Sequence, residues 1–185
     1  MNKNSTLDKK KEILAATWEY LMDKGLSKAS IGDLCKEKKI SQSSLYYWFK
    51  DKDDIWTAAG RYGVEKVVLV MLDHTIKNVG DIDRYFQTLF DEVEKYKDDL
   101  RMLVQITTSP MFGARMRETL YSFNPLYEGY GVRLVEMTGC TPMQAEVFIY
   151  TIITIIVDYV IWDDREKSQM LLDNMNIEFL KKVRA

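Results

Sequence analysis

The residues of this chain best suited to recognition chemistry lie together between positions 41 and 52. Ser41-Gln42-Ser43-Ser44 places one carboxamide, able to make paired hydrogen bonds to an adenine edge, among hydroxyls that both donate and accept. Tyr46-Tyr47-Trp48 follows, and Lys52 adds a cation. If the segment opens a short helix, its first backbone N–H groups favour a phosphate. Three successive aromatics on such a helix cannot all point inward. Leu45, Phe49 and one tyrosine suffice for a buried face, which leaves the others to lie against a sugar–phosphate backbone. The plainer alternative is that Tyr46–Trp48 are all packing residues.

Catalytic chemistry finds no comparable concentration. His74 is the single histidine, and no glycine-rich phosphate loop or nucleophile–base pair is visible, so an enzyme is not expected. Cys35 and Cys140 stand apart, outside any CxxC or His-containing cluster, so neither metal nor cofactor is expected. With no secretory pattern behind Met1–Lys11, free thiols and a cytoplasmic location follow as expectations.

Positioning the 41–52 cluster requires helices. Period-2 alternation and hairpin turns are nearly absent, and helical signals recur throughout. Ile13, Ala16, Thr17 and Leu21 mark a helix over Lys9–Lys24 that Gly25 stops. Ser30 and Asp33 make a capping-box pattern for a short helix to about Lys38. Ser41–Phe49 is the next, and Asp51 caps a long one to about Asn78, where Asn78–Gly80 ends it. Asp81–Tyr96 sets Ile82, Phe86, Leu89, Phe90 and Val93 on one side. A segment from Asp98 or Asp99 to Thr108 breaks at Ser109-Pro110, and Pro110–Tyr121 is ambiguous. Asn124-Pro125 and Thr141-Pro142 each place a capping residue before a first-turn proline, opening helices to about Thr138 and Trp162. Arg165–Val183 is a last amphipathic helix. The fold class is all-α, with about nine helices.

Two short helices joined across Lys38–Ser41, with a preceding helix to pack on both, make a helix-turn-helix, whose second helix enters the major groove. Charge distribution agrees. The 185-residue chain carries a net −2, but residues 1–50 hold ten lysines against six acids, a net +4, and the remainder is −6. A content of 46% hydrophobic and 29% charged residues fits a helix-rich protein with a real core.

At these residues the sequence resembles the TetR family of repressors. Ile40–Ile55 looks like that family's recognition helix and the start of its linking helix. Ile13-Leu14, Ala16, Gly25, Ser30-Ile31 and Asp33-Leu34-Cys35 fall at matching spacings upstream. The resemblance covers about residues 9–56. It implies a homodimer on a palindromic operator in double-stranded DNA, with a helix-turn-helix domain over 1–53 and a helical ligand-binding and dimerisation domain over 54–185. Carried over by position, Gln42, Ser43, Ser44, Tyr46, Tyr47, Trp48 and Lys52 contact DNA, and Ser30 contacts a phosphate. Three positions depart from the pattern. Lys39 replaces the usual turn glycine, Gly32 a residue often basic, and Ser43 a glycine or proline.

The family also implies a small-molecule inducer. Met102, Ile106, Met111, Phe112, Met116, Tyr127 and Tyr130 belong to an aromatic and thioether-rich stretch suited to an apolar or aromatic ligand, although most helical cores look similar. The interrupted Ser109–Asn124 segment is a candidate lid. The apolar run Val147–Trp162 is short for a membrane span and reads as a buried helix. A partner subunit is its natural cover, with a monomer core helix as the alternative; the resemblance implies a dimer interface built from the last two helices, Thr141–Trp162 and Arg165–Val183. Asp158 within that run needs a partner and is more in keeping with a structural role than a ligand role, as is His74. Induction then follows as a two-state dimer whose ligand favours wrongly spaced reading heads, transmitted by the Asp51–Asn78 helix. A helix-turn-helix-shaped protein scaffold, or an activator, is the competing function.

Overall fold

A computed structural model of the chain describes residues 3–72 and 78–175. Among them there are ten helices and no strand: α1 Lys3–Lys24, α2 Ile31–Lys38, α3 Gln42–Trp48, α4 Lys52–Leu72, α5 Val79–Lys95, α6 Lys97–Thr108, α7 Gly113–Tyr121, α8 Asn124–Thr138, α9 Pro142–Trp162 and α10 Arg165–Asp173. They form two compact units, Met1–Leu69 with Arg101–Tyr121, and Val70–Leu100 with Ser122–Ala185. His74 and the expected helix beyond residue 175 lie outside the described residues.

The first unit is built on large aromatics. Trp18, Tyr20 and Leu21 of α1 are buried with Leu34 of α2, Leu45 of α3, and Ile55 and Trp56 of α4. Tyr20 and Trp56 stack at 6.3 Å. Gly63 on α4 is required by this core, because a Cβ there would lie 2.5 Å from the Trp18 ring. Close packing is thus the role of that glycine. Met102, Ile106, Phe112 and Met116 are buried in the same unit.

In the second unit α5 buries Ile82, Phe86, Leu89, Phe90 and Val93, the five residues its periodicity places on one face. Phe86 stacks on Phe148 of α9 at 5.8 Å, and Phe90 meets Tyr159 edge-on at 4.9 Å. A polar tie joins the ends of these helices. Lys97, 7% exposed, donates to Glu94, to the Tyr159 hydroxyl at 3.0 Å and to Asp163, while Tyr159 donates to Glu94. Burial opposes the Lys97 charge, but its hydrogen bonds to Asp163, Tyr159 and Glu94 win and raise its pKa above the ordinary lysine value.

Several boundaries differ from the sequence expectations. Asn78 does not end a helix; it caps α5, in a reciprocal capping box with Asp81. Pro110–Tyr121 resolves into a turn and the nine-residue α7, so the expected irregular lid is largely helical. Asn124 is the first residue of α8 rather than its cap; Phe123 stands at the cap with no side-chain hydrogen bond. Helix α9 is capped by Thr141 and Gln144 as a full capping box. It is also less buried than its composition suggests. Among the described residues it is long and apolar enough to cross a membrane by length and composition, yet Met143, Val147, Tyr150, Val157 and Ile161 are exposed along one side. Asp158, the expected buried charge, is only half-buried and pairs with Lys167 of α10 at 3.1 Å.

Candidate nucleic-acid interface

The helix-turn-helix is assembled from three local devices. Ser30 caps α2: its hydroxyl accepts from the Asp33 N–H at 3.1 Å and donates to the Asp33 carboxylate at 3.0 Å. The Ser30 N–H does not return to Asp33, as a full capping box requires. It donates to the Tyr20 hydroxyl at 3.0 Å, which fastens the cap to α1. The turn then passes through Lys39 at φ 53, ψ 38, left-handed backbone that glycine adopts freely and a side chain does not. The Ile40 N–H closes it on the Cys35 carbonyl at 3.1 Å. Ser41 caps α3, accepting from the Ser44 N–H at 3.1 Å, with its hydroxyl 3.0 Å from that of Ser43 and 2.8 Å from that of Ser44.

Helix α3 buries Leu45 and is closed by buried Phe49. Gln42, Ser43, Tyr46 and Tyr47 are exposed, and Ser44 and Trp48 are half-buried. The expectation that one tyrosine turns inward is corrected here: Tyr46 is 48% and Tyr47 72% exposed. Trp48 takes the intermediate position instead, edge-on to Tyr47 at 4.8 Å and 6.0 Å from the Lys10 ammonium of α1. Lys52 is exposed at the start of α4. Asp51 caps α4 by accepting from the Asp54 N–H at 2.8 Å and pairs with Arg115 of α7 at 3.2 Å. The Asp54 N–H first, and the guanidinium second, hold the Asp51 carboxyl below the usual carboxylate range. Cys35 is half-buried, and burial pushes its thiol up, away from the reactive thiolate.

The predicted interface residues therefore share one small structure. Gln42, Ser43, Tyr46, Tyr47 and Lys52 offer free surface, whereas the Ser30 hydroxyl is engaged in its own cap. The seven predicted ligand residues are divided. Met102, Ile106, Phe112 and Met116 are core residues of the first unit, and Met111 is 68% exposed there. Tyr127 and Tyr130 line a cavity of about 100 Å³ inside the second unit, with Tyr85, Phe86, Arg133 and Phe148. Sequence reasoning missed those last four. The apolar face of α5 was the available signal, since Phe86 lies on it beside Tyr85.

Residues 13–59 match the family described as bacterial regulatory proteins, tetR family. The chain is 25% identical over 93 residues to the HTH-type transcriptional regulator PksA of Bacillus subtilis, covering 50% of this chain and 45% of that protein. It is 30% identical over 95 residues to the biofilm operon icaADBC HTH-type negative transcriptional regulator IcaR of Staphylococcus epidermidis, covering 48% of each. The chain thus spans about half the length of the curated relatives it matches. No solved structure matches. Residues 13–59 of this chain thus carry the N-terminal helix-turn-helix that characterises the tetR family of bacterial regulatory proteins.

Proposed function

We propose that this protein is a sequence-specific DNA-binding transcriptional regulator, a repressor released from a palindromic operator by a small molecule. The observation that carries the reading is the exposed row Gln42, Ser43, Tyr46 and Tyr47 on a helix whose other face is anchored by Leu45 and Phe49. Two tyrosines exposed beside a carboxamide suit a groove lined by base edges and phosphates. The reading head spans residues 1–53, and residues 54–185 form the regulatory part. The relative IcaR is, by name, a negative transcriptional regulator.

Dimerisation runs through α9 and the helix after it. Met143, Val147, Tyr150, Thr154, Val157 and Ile161 follow alternating steps of four and three, the seam spacing of paired helices. All six are exposed in the single chain. A two-fold dimer then presents two α3 helices to two half-sites of an inverted repeat. Selection of bound sequences from a random duplex pool tests the reading. It should return an inverted repeat, bound with an affinity that falls steeply as salt rises. Absence of binding to any duplex at low salt overturns it.

A further inference from the structure

The cavity lined by Tyr127 and Tyr130 is small, and its wall is almost wholly apolar. Phe86 and Phe148 stack within that wall, and Tyr85, Tyr127 and Tyr130 add rings to it. Arg133 is the one charged side chain among the lining residues. It is exposed, and its guanidinium lies 5.5 Å from the centre of the Tyr130 ring. No acidic side chain lines the cavity, so a cationic guest would meet only like charge. We propose that this cavity binds a monocyclic aromatic carboxylate, with its ring among the aromatic side chains and its carboxylate on Arg133.

Size, shape and charge each narrow the class. The volume of about 100 Å³ is of the order of the roughly 150 Å³ apolar cavity that accepts benzene, and far below the roughly 300–1,000 Å³ of drug-sized sites. One ring fits that volume. Aromatic walls favour an aromatic guest through offset and edge-on contacts. A planar guanidinium matches a carboxylate with two parallel hydrogen bonds, which a neutral amide cannot reproduce. The Tyr85 hydroxyl, pushed up to about 12 by its burial, stays protonated and offers a neutral donor.

This assignment rests on reading the second unit as the ligand-binding part of a regulator, so the test separates the two. Calorimetric titration of the full chain uses benzoate, benzamide and toluene on wild type, Arg133→Gln and Ile152→Trp; Ile152 of α9 also lines the cavity, so the last places a large ring in it. The expected result has three parts. Benzoate binds wild type and is weakened tenfold or more by Arg133→Gln; any binding of benzamide and toluene changes less than twofold in that variant; and Ile152→Trp abolishes all binding. Arg133 is exposed, so its variant should unfold at the wild-type temperature, which keeps the comparison interpretable. Toluene binding without preference for benzoate, insensitive to Arg133→Gln but lost in Ile152→Trp, overturns the carboxylate assignment and leaves the cavity as a ligand site. Failure of all three probes at millimolar concentration overturns both.

Discussion

Lys39 shows how a single residue defines the reading head. Its left-handed backbone turns the chain between α2 and α3, at a cost of about 1 kcal/mol for a residue with a Cβ. Lys39→Gly should therefore stabilise the protein by roughly 1 kcal/mol, raising the thermal midpoint by a few degrees, as calorimetry would show. DNA affinity should stay unchanged, because the turn geometry is kept. A lower midpoint would mean that the Lys39 side chain contributes more than its backbone costs. Gln42 and Tyr46 test the recognition surface itself. Gln42→Ala should weaken operator binding by roughly 1–3 kcal/mol and relax the preference at one base pair. Tyr46→Phe should weaken all sequences about equally, through loss of one phosphate-directed hydroxyl. Competition assays with single-base operator variants distinguish the two patterns. The sequence made Gln42 readable, since a capped helix start fixes where its second residue points. It did not settle which ring turns inward, because Tyr46, Tyr47 and Trp48 carry equal hydrophobic claims. In the structure Trp48 takes the half-buried position, with Lys10 of α1 near its ring and that of Phe49.

At the scale of elements, local signals were legible and long-range ones were not. The Thr141 cap before Pro142, the five-residue face of α5 and the Gly25 stop are encoded within four or so residues and emerge where expected. Asn78 shows the limit, because a residue that suits a helix end equally suits a helix start, and only the flanking backbone decides; at Asn124 the start lies where expected but the cap falls one residue earlier, on Phe123. The Lys97, Glu94, Tyr159 and Asp163 tie joins positions more than 60 residues apart, and no periodicity reports such a meeting. The Asp51–Arg115 pair is of the same kind, linking the first turn of α4, next to α3, with α7. It yields a pH prediction. Asp51 has a folded pKa below its unfolded value, so its stabilisation is complete above the unfolded pKa of about 3.9 and is lost as pH falls through the folded pKa. Asp51→Asn keeps an acceptor for the Asp54 N–H but cannot ionise. Its thermal midpoint should fall less steeply than that of wild type as pH drops from about 4 to 2. Parallel curves for the two proteins would remove Asp51 from the acid transition.

For the whole molecule, the exposed side of α9 decides whether one chain or two is the functional unit. Six side chains at seam spacing span the helix from Met143 to Ile161, and Trp162, 70% exposed, lies just beyond with Met170 of α10 also open. An apolar strip of that length is unusual on a protein that works alone and ordinary where a second subunit covers it. A lone reading head contacts one half-site, whereas two tethered heads bind with the effective concentration that their linkage supplies, commonly worth a hundredfold or more. Val147→Glu with Val157→Glu would set two carboxylates in the middle of the strip. Like charges facing one another across a two-fold axis cannot be paired, so the dimer should dissociate, while single-chain helicity survives because both sites are exposed. Sedimentation should then report a monomer with unchanged far-ultraviolet circular dichroism. Affinity for the selected inverted repeat should fall at least a hundredfold, and affinity for an isolated half-site should stay the same. A double variant that remains dimeric would move the interface elsewhere. One that becomes monomeric yet holds the full repeat as tightly as wild type would show that each chain reads its operator alone.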